Sequence, residues 1–553
     1  MKFKFDLVQI GLILIACALS APSYAEQVVE TQENSKMPGF SAALTALKES
    51  SLSQRGKAIE QLATFQHPQT IVIFEALLKG NLLEIRSDGQ IVVAEKSGGE
   101  YNIFAAENEE SLGSVERSAT KKITVTNRLR SQLRILIAKL KLDSEDPDIR
   151  LEAVKAMAKA PDKKALQLLA GLAKSETNQN VQQALQLVFA LQDLGNNDHA
   201  LRVAAIETLK EQNSWVALNR LKILTEKDAQ GEYQEPNKQI RKLAKSALIK
   251  IKARQQSYKV LETVFFGLSL GAVLVLAAIG LAITFGVMGV INMAHGELMM
   301  LGAYTTYVMQ QIMPDQLGVS LFLSIPAAFL VSGLVGIAIE RGIIRFLYGR
   351  PLETLLATFG ISLFLQQTVR SIFSPLNRSV STPQWMSGSW HINDFLSFTW
   401  NRFYILIFCL LVFAILLQIL KRTRLGLEVR AVTQNRNMAK AMGIPTDRVD
   451  AMTFGLGSGI AGIAGVALSQ ITNVGPNLGQ AYIVDSFMVV VFGGVGNLWG
   501  TLVGGFSLGL ANKVLEPYAG AVLAKILMLV FIILFIQKRP RGLFPQKGRA
   551  AEA

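Results

Sequence analysis

The stretch Gly286–Tyr307, GVMGVINMAHGELMMLGAYTTY, places Asn292, His295 and Glu297 inside a sequence apolar enough to lie in a bilayer. Ionisable groups at membrane depth are costly, so they face a protein interior or a water-filled path. Gly286, Gly289, Gly296 and Gly302 interrupt the same stretch, which suits a broken or closely packed helix beside a polar path. One reading is a transporter. The other is a tightly packed membrane helix whose His and Glu bond to a neighbour, with no solute nearby.

Around this stretch the composition is uneven. Of 553 residues, 50% are hydrophobic and mean hydropathy is +0.32, too apolar for a wholly soluble chain. Residues 26–258 are rich in Lys, Glu, Gln and Asn, whereas 260–537 run almost without charge outside a few loops. The formal charge of +14 does not point to nucleic acid, because no basic cluster is interleaved with aromatics. The basic runs flank apolar segments instead, as positive-inside sorting places them. Of the two cysteines, Cys17 falls in an N-terminal apolar segment and Cys409 in a membrane segment, so no internal disulfide is expected.

Residues 1–25 have the form of a secretory signal peptide ending in Ser23-Tyr24-Ala25. An uncleaved first membrane helix, or a lipidation site at Leu14-Ile15-Ala16-Cys17, are the alternatives. Residues 26–258 then read as an extracytoplasmic domain. Phe40–Lys79 gives two helical patterns broken near His67-Pro68, and Asn81–Ala106 changes to strand period around the turn Ser87-Asp88-Gly89. From about 127 the pattern is helical again. The segment beginning Asp148-Ile149-Arg150 is echoed from Ala200-Leu201-Arg202 and from Gln239-Ile240-Arg241, which suggests HEAT-like helical repeats; a plain helical bundle reads nearly as well. No residues here assemble a catalytic set, and His67 and His199 read as surface or packing residues.

Residues 259–545 read as a membrane domain, with 546–553 as a cytoplasmic tail. Apolar segments lie near 261–285, 287–313, 318–339, 352–373, 401–420 and 451–470, followed by a glycine-rich region to 537. The loops after the third and fifth segments and the tail Lys538-Arg539-Pro540-Arg541 are basic and are expected in the cytoplasm. With 26–258 outside, the third and fifth segments both end inside, as the charges require. The parity leaves eight or nine spans, with nine favoured, in an all-α polytopic protein carrying a secreted helical domain with a small β insertion.

Three constellations bear on function. The first is the polar set Thr284, Asn292, His295, Glu297, Tyr304 and Thr305, a tentative solute path of hydrogen-bonding groups. The second is the loop carrying Gly426, Glu428, Arg430, Ala431, Met442 and Gly443, expected as short helices with Ala431, Met438, Ala441 and Met442 on one face. Such a pair suits docking of a soluble partner; a solvated linker is the alternative. The third is the block Gly493, Gly494, Gly496, Gly500, Gly504 and Gly505, read first as helix packing in lipid and second as path lining. No GxxxxGK[ST] loop occurs, so ATP-driven work needs another subunit. No metal-ligand spacing, catalytic triad or cofactor motif is present, and no enzymatic activity is expected.

The block Gly286–Glu297, the loop Gly426–Ile444 with Thr446-Asp447-Arg448-Val449 after it, and the glycines at 493–505 resemble the branched-chain amino acid permease family of ABC importers. The secreted domain is absent from plain members and is similar to that of the extended permease subunits of bacterial urea ABC transporters. The resemblance implies an inner-membrane permease paired with a second permease, two cytoplasmic ATPases and a periplasmic solute-binding protein, most simply for urea. A branched-chain amino acid or short amide as cargo, a passive urea channel, and a membrane-anchored scaffold are its rivals. By the same resemblance, Glu428–Gly443 contacts an ATPase and Asn292, His295 and Glu297 lie near the path.

Overall fold

The computed structural model describes residues 38–48, 52–65, 67, 69–97, 100–158 and 163–545. The expected signal segment 1–25 and the tail 546–553 lie outside the described residues. The chain divides into two compact units, Met1–Leu209 and Lys210–Ala553.

The first unit opens with α1 (Pro38–Thr45), α2 (Leu52–Thr64) and α3 (Gln69–Lys79). His67 sits in the break between α2 and α3, where its ring stacks on Phe40 at 4.3 Å and its Nδ1 accepts from the Gln69 amide at 3.2 Å. Five strands follow: β1 (Leu82–Ile85), β2 (Ile91–Ser97), β3 (Glu100–Ala105), β4 (Ser111–Glu116) and β5 (Thr120–Lys122). They form one antiparallel sheet in the order β4-β3-β2-β1-β5. The β region is therefore larger than the 81–106 read from the sequence, because β4 is largely exposed and polar and offers no apolar alternation. At its first turn, Gly89 adopts φ +68° and the Asp88 carboxylate accepts from the Gln90 amide at 3.0 Å.

Helices α4 (Asn127–Leu142), α5 (Pro147–Ala158), α6 (Lys163–Ser175), α7 (Gln179–Asp193) and α8 (His199–Glu211) follow. The sequence echoes share a local structure. Asp146 and Asp198 cap α5 and α8 at 2.8 Å, and four residues on, Arg150 and Arg202 reach back to carbonyls of the preceding loop, at Ser144 and Glu145 and at Leu194. Asn237 and Arg241 repeat the arrangement in the second unit, with Arg241 bonded to the Glu235 and Pro236 carbonyls. A further copy escaped the sequence reading because Asn178 and Gln182 fill the two positions, Gln182 donating to the Glu176 carbonyl at 2.7 Å.

In the second unit, α9 (Trp215–Ile223) precedes α10 (Lys238–Met288), one unbroken helix of 51 residues. Hydropathy changes near 258/259 without any break in the backbone there. The rest comprises α11 (His295–Ile312), α12 (Leu317–Gly342), α13 (Pro351–Phe373), a hairpin of β6 (Ser389–Asn393) and β7 (Leu396–Thr399), α14 (Trp400–Arg422), the short α15 (Arg424–Gln434) and α16 (Arg436–Ala441), then α17 (Thr446–Ser469), α18 (Leu478–Gly493), α19 (Leu498–Ala519) and α20 (Ala521–Lys538). This is an all-α, multi-pass membrane fold. Among the described residues, α10, α12, α14, α17 and α20 are long and apolar enough to cross a membrane. Helices α10 and α17 are central, with 72% and 83% of their apolar windows buried, whereas α20 is peripheral at 17%.

Residues 287–313 do not form a single helix: α10 ends at Met288, Gly289 turns with φ +68°, and helix resumes only at His295. The glycines at 286 and 289 allow this, the first by close approach to Gly496 and the second by its left-handed backbone.

Candidate functional site

The break after α10 carries the chain back along the helix it has just left. Nε2 of His295 lies 2.8 Å from the carbonyl of Ala277, eleven residues before the end of α10. At 1.5 Å per residue that is about 16 Å up the α10 axis. The seven links from Met288 to His295 span at most about 25 Å when extended; residues 289–292 run without helix, and the His295 amide then closes a turn by donating to the Asn292 carbonyl at 3.3 Å. Non-helical backbone at that depth is tolerated only where protein or a polar path surrounds it.

Glycine makes room for this arrangement. A Cβ on Gly280 would overlap the Gly457 carbonyl and lie 2.9 Å from the His295 ring, and one on Gly296 would lie 2.7 Å from the Gly479 carbonyl carbon. Gly302 meets Gly462 in the same way, with a Cβ 2.6 Å from its carbonyl carbon. The first turns of α11 and α18 therefore touch at Gly296 and Gly479.

The Glu297 side chain, 1% exposed, accepts through Oε1 from Ser362 Oγ at 3.0 Å and from Gln366 Nε2 at 2.8 Å. Both donors stand on α13, a helix that contributes no residue to the polar set read from the sequence. Thr358 of the same helix accepts from the Met293 amide at 3.2 Å. The buried residues of α13 are Thr354, Thr358, Ser362, Gln366 and Val369, while Leu352, Leu356, Phe364 and Ile372 are exposed. This helix is polar inward and apolar outward, as a membrane helix beside a polar path is. The signal was in the sequence: Thr354, Thr358, Ser362, Gln366 and Arg370 recur every fourth residue, which places them on one helix face. One turn beyond Gln366, Arg370 Nη2 donates to Asn477 Oδ1 at 2.7 Å, just before α18.

Several buried polar atoms at this place have no hydrogen-bond partner: Asn292 Nδ2, His295 Nδ1, Glu297 Oε2 and Tyr304 OH. An unpartnered buried polar group costs free energy unless water or a polar solute meets it. His295 and Glu297 do not pair with each other. Tyr304 sits two turns past Glu297 with its ring 4.7 Å from Phe373. The hydroxyls of Thr284 and Thr305 bond to carbonyls of their own helices, at Gly280 and Leu281 and at Leu301.

The loop residues form two capped helices. Thr423 Oγ1 accepts from the Gly426 amide at 3.2 Å to start α15, and Asn435 Oδ1 accepts from the Met438 amide at 2.9 Å to start α16. Gly443, with φ +83°, follows α16. Val429, Val432 and Ala439 pack with Val449 of α17 and Val287 of α10, with Ala431 half-buried at the edge. Ala431 thus faces inward, while Met438, Ala441 and Met442 of the expected common face are exposed together with Leu427. Glu428 pairs with the exposed Arg424 at 2.9 Å, and Arg430 bonds the Leu420 carbonyl.

The glycine block lies at helix contacts. Gly493 and Gly500 meet backbone to backbone, Gly496 meets Gly286, Gly504 meets Gly493 and Val489, and Gly505 meets Val275. Gly494, at φ +106°, faces the Phe544 carbonyl. Among the described residues no group of His, Cys, Asp or Glu is placed to hold a metal ion.

Residues 263–536 match the family model described as the branched-chain amino acid transport system / permease component. The chain is 31% identical over 294 residues to the high-affinity branched-chain amino acid transport system permease protein LivH of Escherichia coli K12, covering 51% of this chain and 94% of that protein. It is 28% identical over 296 residues to the permease protein BraD of Pseudomonas aeruginosa PAO1, covering 52% and 96%. A probable LivH of Methanocaldococcus jannaschii is 26% identical over 289 residues, covering 49% and 88%. No solved structure matches the chain.

Proposed function

Since the chain belongs to the permease-component family of branched-chain amino acid transport systems, an ABC-type transport family without enzymatic activity of its own, we propose that it forms half of a solute path across a bacterial inner membrane. In this reading the path runs by Asn292, His295, Glu297 and Tyr304 against the inward face of α13. The observation that carries it is the break between α10 and α11, which brings His295 back to the Ala277 carbonyl and leaves Asn292 Nδ2, His295 Nδ1 and Glu297 Oε2 buried without partners around its far end. Helices α10–α14 and α17–α20 supply nine crossings. Residues 26–258 form an extracytoplasmic HEAT-like domain behind a signal peptide, and α15–α16 lie in the cytoplasm. The parity of the basic loops supports that placement.

The exposed Leu427, Met438 and Met442 among basic residues suit docking of an ATPase subunit. The family is named for a transport system, which supports further partners: a second permease, two ATPases and a solute-binding protein that docks on the extracytoplasmic domain. Glycines 493–505 serve helix packing. The relatives named above are branched-chain amino acid systems, so the cargo reading moves from urea to a branched-chain amino acid. Urea or another short amide stands as the second reading. It is favoured by the inward face of α13, where one hydrogen-bonding side chain per turn suits a small neutral solute better than an aliphatic one.

Glu297→Gln is the test. The variant should reach the membrane and co-purify with partners at wild-type levels, while uptake of labelled leucine or urea changes by about tenfold, the scale of one charged hydrogen bond. Unaltered uptake would make the residue purely structural. Competition between labelled urea and leucine separates the two cargoes, and uptake persisting after ATP depletion would favour a passive channel.

A further inference from the structure

Between the α15–α16 pair and the Glu297 cluster lies a small region built around one arginine. Arg436, in the first turn of α16, forms a two-pronged ion pair with Asp450 of α17, with Nη1 to Oδ1 at 3.1 Å and Nη2 to Oδ2 closer still. Its guanidinium also lies 3.9 Å over the ring of Tyr348, in the connection between α12 and α13. Asp450 is 3% exposed. One side chain thus joins α16, α17 and the chain leading into α13. The apolar contacts beside it join the same loop to Val287, two residues before the break in α10.

We infer that Arg436 is a positioning residue that transmits displacement of the α15–α16 pair to the 289–294 segment. The inference rests on the permease reading above and adds to it the route by which a cytoplasmic partner reaches the site. The parts that the arginine or its apolar surroundings hold lead on to the Glu297 site: Val287 of α10 into segment 289–294, Tyr348 into α13, and α17 itself. Segment 289–294 is bonded at Met293 to α13, α13 holds Glu297 through Ser362 and Gln366, and α17 abuts α10 and α11 at Gly457 and Gly462. A bidentate, stacked guanidinium fixes angle as well as distance, which an ammonium does not. By contrast the Arg345–Asp447 pair on the same side is 3.6 Å apart with side chains 46% and 59% exposed, and solvent screens it.

The experiment labels a thiol placed at the far end of the route. In full-length protein in native membranes, with Cys17→Ala and Cys409→Ala as background, Met293→Cys is treated with a membrane-permeant maleimide. Arg436→Gln should change its labelling rate by at least about fivefold, the lower end of measured site-to-site coupling. Arg345→Gln should leave the rate unchanged, and Arg436→Lys should fall between. Equal rates in Arg436→Gln and wild type would overturn the inference. If Arg436→Gln does not accumulate, Tyr348→Ala, which keeps the ion pair and removes the stacked ring, is measured instead, and an unchanged rate there is equally fatal. In the reconstituted transport system, Arg436→Gln should keep ATP hydrolysis while lowering solute moved per ATP; a parallel fall in both counts against transmission. If no ATPase co-purifies with the wild-type chain, the permease reading fails while the labelling result still decides the mechanical link.

Discussion

In the N-terminal unit the side chains that fill the core are Leu47, Ile59, Phe74 and Leu133, each fully buried, and charge lies outside apart from Glu176, which Arg150 pairs. In α10–α20 helices come together glycine on glycine, at 280 and 457, 296 and 479, and 302 and 462, while Leu352, Phe364 and Tyr518 face outward. The contrast follows from the solvent. In water, burying large apolar groups drives association. In lipid that gain is absent, so helices are held by backbone proximity, dispersion and a few polar contacts. A polar residue inside the second unit is therefore informative in a way that a buried leucine in the first is not.

Substitutions can break this contrast. The largest effect is expected at Gly302→Val, where the added carbons meet the Gly462 backbone and nothing flexible can yield; folded protein should be lost altogether, seen as absence of a monodisperse peak after detergent extraction. Phe74→Ala, at a fully buried position in the N-terminal core, should cost about 3–5 kcal/mol, read as a lowered first transition in thermal unfolding of the whole chain. The smallest effect sharpens the comparison through pH. Hydrogen bonds from Arg150 hold the Glu176 carboxyl below its ordinary value of 4.5, outweighing the opposing effect of burial, with help from the Asn178 and Thr177 amides. Because the folded value is the depressed one, its stabilisation is complete above pH 4.5 and is lost as pH falls through the lower folded value. Acidification below that point should lower the first transition more steeply in wild type than in Glu176→Gln, whose transition starts lower at neutral pH.

Much of the membrane half was legible because hydropathy and charge report the solvent directly. The interruption at Gly286 and Gly289 was visible as glycine in an apolar run, yet its depth was not, since only the bond from His295 to Ala277 reveals that the chain doubles back. Ser362 and Gln366 were missed for a related reason. Single hydroxyls and amides barely alter hydropathy, and their meaning lies in a four-residue recurrence that an apolar count averages away. In the N-terminal unit, β4 and β5 were overlooked because edge strands with polar side chains carry no alternation. The β6–β7 hairpin is likewise short and its exposed residues mix Trp390 and Ile392 with polar neighbours.

Helix α10 contains neither glycine nor proline from Lys238 to Phe266, and it continues without interruption to Met288. At 1.5 Å per residue this is a bar of about 76 Å. From Lys238 to Phe266 nothing offers a joint, and the glycines beyond are packed against Leu510, Phe506, Gly457 and Gly496, so a tilt imposed near Arg241 is carried into the packed half as sideways travel, scaled by where the bilayer grips it. Whatever leans on the polar end of this element is thereby felt beneath Asn292, with membrane thickness acting as the fulcrum.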